Sequence, residues 1–502
     1  MKNFVKKDIW AMALMLLLVQ QYGMAQIPDT NSSTWSGSAI TRVDTCQSTW
    51  SRYGYLQEAS SIVRGSGIMK VVHLQYWNPE TGEYPHIFIV SRNFGDIDRA
   101  YKTYFSDPLK RFDITDMRLY NDTCYFCGNV KMDEVERERN IANYGVIGRF
   151  PVYGMFLGTD TLFYKIVKET SRLSRLAISR AVIDNKMTTV VSAIGNRVTT
   201  NKECLVEFTH EGSSSWKMKV GGVSYPNGII FSDLLNTGDS ITLLSQFKCG
   251  DNILPGSNGY NFSHQIFLLD RFGLGGCSSS YSTPGPYYMM QYLMPLSDNC
   301  SYHLDVAPMR LFHIEDLDHK FGVAFGVRKT SVNIGGIRLF TFHNARQYDS
   351  SIYYKTGIHP IIKDVGNLNK RKYLFVISTD QSHPKGVMSS PEFGGTSPNV
   401  TLLSSSSYWI NSLAQRSLGD YIYMTGHNSS GEYMLYNQYG LNFGDPTCFD
   451  KEQGIYTVFP EKRADLLVVS WTFEKEKEIE WDWAELFPVE TVRDTVCQKC
   501  LP

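Results

Sequence analysis

The cysteines of this chain are the residues whose type and spacing could most directly do chemistry. Ten cysteines occur, and four of them form two Cys-x-x-Cys pairs, Cys124–Cys127 and Cys497–Cys500. Thiolates at this spacing bind zinc or catalyse disulfide exchange in other proteins. Here the pairs lie about 370 residues apart, and the first falls in a β-rich run, where alternation directs Cys124 and Cys127 to opposite faces. We therefore expect buried or disulfide-bonded cysteines, with zinc binding or redox catalysis as weaker alternatives.

Three cysteines near the chain ends are candidates for a disulfide. Cys46 ends the phrase Val-Asp-Thr-Cys, and Cys497 ends the similar phrase Asp-Thr-Val-Cys shortly before Cys500. A bond from Cys46 to Cys497 or Cys500 would close a loop of nearly the whole chain, and the chain-entropy estimate for so long a loop is upward of roughly 4 kcal/mol. The alternatives are a local Cys497–Cys500 bond or free thiols.

Carboxylates are the second group that could do chemistry, because paired Asp and Glu side chains catalyse glycoside hydrolysis. The chain has 50 acidic residues, and no spacing singles out one pair. The pairs Asp96/Asp98 and Asp316/Asp318 could bind calcium, but neither fits an EF-hand loop, and solvated turns are the preferred interpretation. The motifs G-x-S-x-G, H-E-x-x-H and the P-loop do not occur. The sequence thus predicts no catalytic residue, no metal ligand and no cofactor.

Aromatic clusters in loop-like segments are the remaining candidates for ligand contact. Aromatic faces stack on sugar rings, and loops on a rigid scaffold often carry binding residues. The alternative is that these rings fill the core, as many aromatic side chains of this chain must. The candidate ligand-contact residues are Tyr408, Trp409, Tyr287, Tyr288, Trp481 and Trp483.

A degenerate repeat indicates the elements that position these residues. Copies begin at Ile114-Thr-Asp116-Met, Phe231-Ser-Asp233-Leu and Ile410-Asn-Ser-Leu413, and each runs through a turn carrying Asp into a β-rich segment. Weaker copies begin at Asp184, Asp316 and Asp364. A repeat long enough to form one four-stranded sheet is typical of a β-propeller. We predict an all-β, seven-bladed β-propeller, for which six or eight blades also fit; two packed sandwiches or a β-helix are the alternatives.

The strand pattern divides the chain into segments that could each form one blade. The expected segments are 50–110, 111–165, 170–220, 221–305, 306–355, 356–405 and 406–460, and the end of the chain, 461–500, is expected to pair with N-terminal strands. Closing the ring in this way removes open sheet edges. Short surface helices are expected at 132–143 and at 478–487.

The start of the chain predicts export. Lys2, Lys6 and Lys7 precede the short apolar run 11–19, and Gly23-Met-Ala25 offers a cleavage site. This order is that of a secretory signal peptide, here 1–25. A membrane anchor is the alternative, but the run is far shorter than the roughly 20 residues that span a bilayer. We expect a product located in the periplasm, on the cell surface or outside the cell.

The mature chain is expected to be one unit. Residues 26–45 are predicted to be flexible and 46–502 to form a single propeller domain. The formal net charge of −1 and the lack of a basic stripe disfavour binding to nucleic acid or to an anionic membrane surface. No apolar stretch that could insert into a membrane follows the signal peptide.

Phrases such as 122–128 (Asp-Thr-Cys-Tyr-Phe-Cys-Gly) and 145–148 (Gly-Val-Ile-Gly) carry a family resemblance. The chain resembles secreted, uncharacterised β-propeller-like proteins of Bacteroidetes-type bacteria. This resemblance implies a fold and a compartment but brings no activity. The sequence favours a non-catalytic binding or scaffold protein with a propeller face for a glycan or protein ligand. The alternative is a carbohydrate-active hydrolase or lyase on the same scaffold.

Overall fold

The structure is a computed structural model of the 502-residue chain. It describes residues 37–44, 60–66, 69–75, 82–91, 98–105, 111–131, 143–152, 161–183, 186–211, 215–223, 229–237, 240–247, 264–270, 288–294, 310–313, 320–329, 334–343, 346–356, 361–369, 372–378, 384–389, 399–405, 407–415, 421–428, 433–439, 448–459, 465–490 and 492–500. The fold is all-β, at 84% strand in these ranges. The prediction of an all-β protein is thereby confirmed.

Strands that follow one another in the chain pair antiparallel in groups of four, which we call meanders. The first meander consists of β2 (Ser60–Ser66), β3 (Met69–Gln75), β4 (His86–Ser91) and β5 (Asp98–Thr103). The second consists of β6 (Phe112–Tyr120), β7 (Thr123–Lys131), β8 (Asn143–Pro151) and β9 (Thr161–Val167). The third consists of β10 (Thr170–Ile183), β11 (Lys186–Arg197), β12 (Glu203–Glu211) and β13 (Ser215–Val223).

The next three meanders repeat this arrangement. The fourth consists of β14 (Ile229–Thr237), β15 (Ser240–Phe247), β16 (His264–Asp270) and β17 (Tyr288–Met294). The fifth consists of β18 (Arg310–His313), β19 (Lys320–Lys329), β20 (Ile334–His343) and β21 (Arg346–Thr356). The sixth consists of β22 (Ile361–Asn369), β23 (Lys372–Ser378), β24 (Pro384–Ser389) and β25 (Asn399–Ser404).

The seventh meander combines the two ends of the molecule. Three of its strands come late in the chain and the fourth comes from the N-terminal region: β26 (Tyr408–Gln415), β27 (Tyr421–Asn428), β28 (Tyr433–Tyr439) and β1 (Gly37–Asp44). Residues 37–44, within the segment expected to be flexible, are therefore a paired strand. The expectation was wrong there because the open edge of β28 needs a hydrogen-bonding partner, which β1 supplies.

The C-terminal segment runs along the outer strands of the meanders in reverse order. Its strands are β29 (Asp450–Phe459), β30 (Asp465–Phe473), β31 (Lys477–Ile479), β32 (Asp482–Glu485), β33 (Phe487–Val489) and β34 (Val492–Cys500). β29 pairs with β25 and β21, β30 with β17 and β13, β31 with β13, β32 with β9, β33 with β5, and β34 with β1. We call this segment the C-terminal strap. The predicted pairing of the chain end with N-terminal strands is confirmed.

The helix expected over 478–487 is wrong, because β31, β32 and the start of β33 occupy this range. In this range Ala484 and Leu486 are buried while the residues on either side of each are exposed. This alternation suits an edge strand, and the open edges of β13, β9 and β5 need partners that a helix cannot supply. The other expected helix lies, apart from the strand residue Asn143, outside the described residues.

The first strands of the meanders contact one another in cyclic order. β2 contacts β6, β6 contacts β10, β10 contacts β14, β14 contacts β18, β18 contacts β22, β22 contacts β26, and β26 contacts β2. Apolar clusters fill the spaces between successive meanders. One joins the first and second meanders through Phe88 and Phe150, whose ring centroids lie 4.9 Å apart, and another joins the second and third through Ile147 and Val206.

A close approach in the second meander makes Gly148 a sensitive position. Phe126 is fully buried and lies opposite Gly148 in the β7–β8 register. A Cβ at 148 would overlap the Phe126 ring. We expect Gly148→Ala to lower the free energy of unfolding by about 1–3 kcal/mol, the usual cost of overpacking a core. Urea titration measures this, and Phe126→Leu in the same chain should recover part of the loss; no recovery would contradict the overlap.

Candidate functional site

The repeat found in the sequence marks a β-bulge on four of the first strands. The register shifts between Ile114 and Asp116 in β6, Phe231 and Asp233 in β14, Ile362 and Asp364 in β22, and Ile410 and Ser412 in β26. A bulge redirects the side chain that follows it. The side chains at the four second positions are all buried, at 0%, 3%, 7% and 3% exposed in that order.

Each of the three aspartates links its own strand to the first strand of the next meander. One carboxylate oxygen accepts a hydrogen bond from the next backbone N–H in the chain, at 2.9–3.0 Å. The other accepts from a leucine N–H in the next meander: Leu176 for Asp116 (3.1 Å), Leu311 for Asp233 (2.8 Å) and Leu413 for Asp364 (3.2 Å). The carboxylates therefore connect neighbouring meanders.

Arg64 of β2 binds both the first and the last of these three aspartates in the chain. Its guanidinium donates to Asp116 (3.0 Å) and to Asp364 (2.7 Å), and its Nε donates to the Met117 carbonyl (2.9 Å). Burial by itself would lower the pKa of Arg64, but the charges of Asp364 and Asp116 raise it above its ordinary value. Arg64 is therefore charged at every accessible pH.

The small side chain of Ser412 fits between the two charged partners. Its hydroxyl donates to Asp364 (2.6 Å) and accepts from the Val63 N–H (3.2 Å). In strand order the first strands carry Arg64, Asp116, Arg175, Asp233, Arg310, Asp364 and Ser412. Charges cannot alternate strictly around seven positions, and the neutral serine occupies the seventh.

The central charge cluster consists of these six charged residues together with Arg118, next to Asp116 on β6. Arg118 lies 3.3 Å and Arg175 lies 3.9 Å from the Asp116 carboxylate. Burial would raise the pKa of Asp116, but Arg118, Arg64 and Arg175 hold it well below its ordinary value. In contrast, burial and repulsion from Arg175 lower the pKa of Arg310 to about 9, despite attraction from the aspartates.

A cavity of about 320 Å³ lies beside this cluster, among the first strands. It is lined by residues of β6, β10, β14, β18, β22 and β23, most of them aliphatic. Its lining residues are Arg118, Leu119, Tyr120, Leu176, Ala177, Ile178, Leu234, Leu235, Leu311, Phe312, Val365, Gly366 and Tyr373. We call it the central cavity.

A second, larger cavity of about 750 Å³ lies between the second and third meanders, under the C-terminal strap. Its lining includes Trp216 of β13, Lys165 and Lys168 near β9, and Glu478 and Asp482 of the strap. We call it the rim cavity. Its mixture of both charge signs with an aromatic ring and aliphatic residues suits a ligand that both donates and accepts hydrogen bonds.

Two predicted contact residues lie at this rim, in different environments. Trp483 of β32 is 68% exposed and faces Phe163 across the β32–β9 pair. Trp481 is partly buried against the edge of the Trp216 ring, with ring centroids 5.3 Å apart. The Arg149 guanidinium lies 4.9 Å from the Trp216 ring and 5.4 Å from the Trp481 ring. Trp483 is thus available to a ligand, and Trp481 is part of the packing.

The other predicted contact residues lie in different meanders. Trp409 of β26 is partly buried, with its ring centroid 4.7 Å from that of His427. Tyr408 is in β26 and Tyr288 is in β17, but the side chains of both lie outside the described part of the chain, as does the whole of Tyr287. Of the three candidates whose side chains are described, Trp409 therefore lies in a different meander from the rim that carries Trp481 and Trp483.

Among the cysteines whose side chains are described, three are buried thiols and Cys448 is disulfide-bonded. Cys124 packs in the cluster between the first and second meanders and Cys127 in the cluster between the second and third, which confirms their predicted opposite faces. Both are free, as is Cys204, and burial raises the pKa of Cys204 to about 12. A thiol of this kind is inert as a nucleophile.

The predicted bond between the chain ends stays a prediction, because Cys46 lies outside the described residues. The backbone register places Cys497 opposite Ile40 and Cys500 opposite Gly37, on neighbouring strands.

Of the four aspartates considered as calcium ligands, only Asp98 is described, and it begins β5. The other three, Asp96, Asp316 and Asp318, lie outside the described residues. The described ranges hold no group of three His, Cys, Asp or Glu side chains that could bind a metal ion.

The sequence contained a signal for the three aspartates of the central charge cluster and for the neighbouring Ser412. Asp116, Asp233 and Ser412 stand in the repeat, and Asp364 begins one of its weaker copies. The arginines occupy no such phrase, and only the folded order of the strands brings them to the aspartates.

None of the described residues forms a helix long and apolar enough to cross a membrane. No protein-family model matches the chain, and a search of curated proteins likewise finds no match.

Proposed function

We propose that this protein is a secreted, non-catalytic binding protein, built as a seven-bladed β-propeller, that holds a glycan or protein ligand at its rim. The cyclic contacts of the first strands, from β2 through β26 and back to β2, support the ring. So does the seventh meander, which takes its outer strand from the N-terminal region. Export rests on the signal-peptide pattern of residues 1–25.

The observation that carries the binding function is the exposed Trp483 beside the rim cavity. Trp483 lies opposite Phe163 in β9, and Lys165, two residues further along that strand, lines the cavity. Residues two apart in a strand share one face, so Trp483 lies on the same face of the sheet as Lys165. An indole face next to polar side chains is the usual arrangement for stacking on a sugar ring.

The charge of the strap restricts the class of ligand that the rim can bind. Residues 474–490 contain seven acidic residues and two lysines. All seven acidic side chains in this stretch are exposed. Like charges across an interface cost free energy, so the rim favours neutral or positively charged ligands over acidic glycans.

The central carboxylates favour binding over catalysis. Asp116, Asp233 and Asp364 each accept backbone hydrogen bonds from two strands, and Asp116 and Asp364 also bind Arg64. A general acid in a glycosidase needs a raised pKa, whereas the pKa values of Asp116 and Asp364 are lowered. These residues serve to connect meanders.

A glycan array with the purified mature protein tests the proposal. We expect Trp483→Ala to reduce binding to the recognised glycan at least about tenfold, because tryptophan anchors commonly contribute about 2 kcal/mol or more. Phe487→Ala is the matched control, since Phe487 is also exposed on the strap but lies on β33 in another sheet. Equal binding by Trp483→Ala and the unaltered protein would refute the rim site.

The same experiment separates the alternative functions. Product analysis of every bound glycan reports hydrolysis or elimination, and release of products would establish the carbohydrate-active enzyme instead. A blank array combined with capture of a basic protein, lost in Trp483→Ala, would select the protein ligand.

A further inference from the structure

We propose that the rim cavity recognises the acetamido group of an N-acetylated sugar through Arg149, Trp216 and Trp481, which we call the donor cluster. This inference rests on the function proposed for the rim and names the class of glycan that the rim binds. Three features of the described residues support it: buried N–H groups without an acceptor, their place beside the cavity, and the volume of the cavity.

The donor cluster is compact and contains several unpaired N–H groups. The Arg149 guanidinium lies 4.9 Å from the Trp216 ring and 5.4 Å from the Trp481 ring, and the centroids of the two rings lie 5.3 Å apart. The Nε atom of Arg149 and the Nε1 atoms of both tryptophans are buried, and none of them has a hydrogen-bond acceptor within the part of the chain that the structure describes. Buried N–H groups in proteins are almost always paired, because an unpaired donor costs free energy. An acceptor supplied by a ligand would satisfy these groups.

The donor cluster adjoins the rim cavity at two points. Trp216 lines the cavity and is only 3% exposed. Trp481 lies between Glu480 and Asp482 in the chain, and both of these residues line the cavity. A ligand group at this end of the cavity would therefore contact the cluster.

The cluster also lies close to the exposed Trp483. Arg149 of β8 and Trp483 of β32 are both paired with Phe163 of β9, so the three residues share one face of the sheet. Two strand spacings separate Arg149 from Trp483, a distance of about 10 Å. A ligand with two linked sugar rings can therefore stack one ring on Trp483 and bring the other ring to the donor cluster.

The chemistry of the cluster favours a neutral group that only accepts hydrogen bonds. Arginine and tryptophan side chains carry N–H donors and no acceptor. The carbonyl oxygen of an acetamido group has two lone pairs and no proton of its own, whereas a sugar hydroxyl must also place a proton. A carboxylate accepts equally well, but the exposed acidic residues of the strap between 474 and 490 disfavour it. The methyl carbon of the acetamido group can pack against the rings of the cluster.

The volume of the rim cavity suits a disaccharide. A cavity of about 150 Å³ accommodates benzene. The rim cavity, at about 750 Å³, is roughly five times as large and accommodates on the order of 30 non-hydrogen atoms. This is the size of N,N′-diacetylchitobiose, which consists of two linked glucosamine units with an acetamido group on each.

Calorimetric titration of the purified mature protein with two disaccharides tests this inference. The probes are N,N′-diacetylchitobiose and cellobiose, which has the same ring frame and linkage but hydroxyl groups in place of the acetamido groups. We expect the acetylated probe to bind at least about tenfold more tightly than cellobiose, because its carbonyl oxygens pair donors that otherwise stay unpaired.

Two variants test the role of the donors directly. Trp216→Phe keeps an aromatic ring but removes one N–H group, and we expect it to reduce the preference for the acetylated probe about fivefold. Trp481→Phe, at a less buried position of the same cluster, should act in the same way and covers the case in which Trp216→Phe fails to fold. Tyr104→Phe is the matched control, because it also removes one donor from an aromatic side chain, a hydroxyl that donates to Glu83 away from the rim cavity. It should leave both affinities unchanged.

The outcomes separate this inference from the function proposed for the rim. Trp483→Ala should weaken the binding of both disaccharides alike, because stacking on the indole ring does not involve the acetamido group. Equal affinity of the unaltered protein for the two probes, or a preference that persists in both Trp216→Phe and Trp481→Phe, would overturn the inference and leave a glycan site at the rim. Binding of neither probe would also overturn it, and the glycan array then decides separately whether the rim binds another glycan.

Discussion

Replacing Asp116 by asparagine is expected to lower the free energy of unfolding by about 3–5 kcal/mol, the usual cost of removing one partner from a buried ion pair. Asp116 is fully buried, and its carboxylate faces Arg64 at 3.0 Å and Arg118 at 3.3 Å. Asparagine keeps the shape of the side chain but removes the negative charge. The two guanidinium groups then lose their shared counter-charge, and the Leu176 N–H loses a charged acceptor.

The matched control for this variant is Asp122→Asn, the same chemical change a few residues further along the chain. Asp122 is exposed in the β6–β7 turn at φ 59°, a conformation that asparagine also adopts readily. We expect this control to change stability by no more than about 0.5 kcal/mol. The urea midpoints of the two variants give the comparison, and coinciding midpoints would show that Asp116 does not hold the meanders together.

Stability is also expected to fall by about 4 kcal/mol between pH 7.5 and pH 5, roughly 2 kcal/mol from each of two buried histidines. His73 of β3 and His86 of β4 are fully buried, and their ring nitrogens Nε2 and Nδ1 lie 3.0 Å apart. Burial lowers the pKa of His73 to about 3, and burial together with the charge of His73 places the pKa of His86 well below its ordinary value.

The direction of this pH effect follows from proton uptake. As the pH falls below about 6.5, histidines of the unfolded chain bind protons. Buried His73 remains neutral down to about pH 3. The unfolded state is therefore favoured progressively over this window, and the stabilisation is complete only above about pH 6.5. Carboxylates contribute little until the pH falls below about 4.

Thermal melts from pH 7.5 to pH 5 measure this loss. In the double variant His73→Gln/His86→Gln, amide groups replace the rings and do not titrate. We expect its melting temperature to vary much less over the same range, although its stability at pH 7.5 is lower because the rings also pack against Phe88 and Phe105. An equally steep decline in the double variant would assign the pH dependence to other groups.

Local patterns in the sequence predicted the strands well, because alternation and turn residues act over short distances. The runs rich in Val, Ile and aromatic residues on either side of the Pro-Glu-Thr-Gly phrase at 79–82 contain β3 and β4, and the nearly continuous apolar run 464–474 contains β30. Each of the seven expected segments contains strands of one meander, and the copies that begin at Ile114, Phe231 and Ile410 each begin at a bulge. Asn121 and Asp122 take positive φ angles at a two-residue turn, as the turn position in the repeat predicts.

Long-range features were not predictable in the same way. Arg64 contacts Asp364 across 300 residues of sequence, and nothing in the phrase around Arg64 indicates that partner. The range 478–487 was expected to be helical because its charged residues suit a surface helix, but the edges of β13, β9 and β5 determine its conformation. Similarly, the aromatic side chains gave no sign of which would be buried: Trp481 packs on Trp216, while Trp483 faces solvent.

The C-terminal strap has a consequence for synthesis, which delivers the N-terminus first. The outer strands of all seven meanders pair with strands that lie in about the last tenth of the chain, from residue 450 onward. Until that stretch has been synthesised, each meander has an unpaired edge that could pair with a neighbouring chain. A nascent molecule therefore depends on protection from aggregation until translation ends, and a prematurely terminated product remains open at every outer edge.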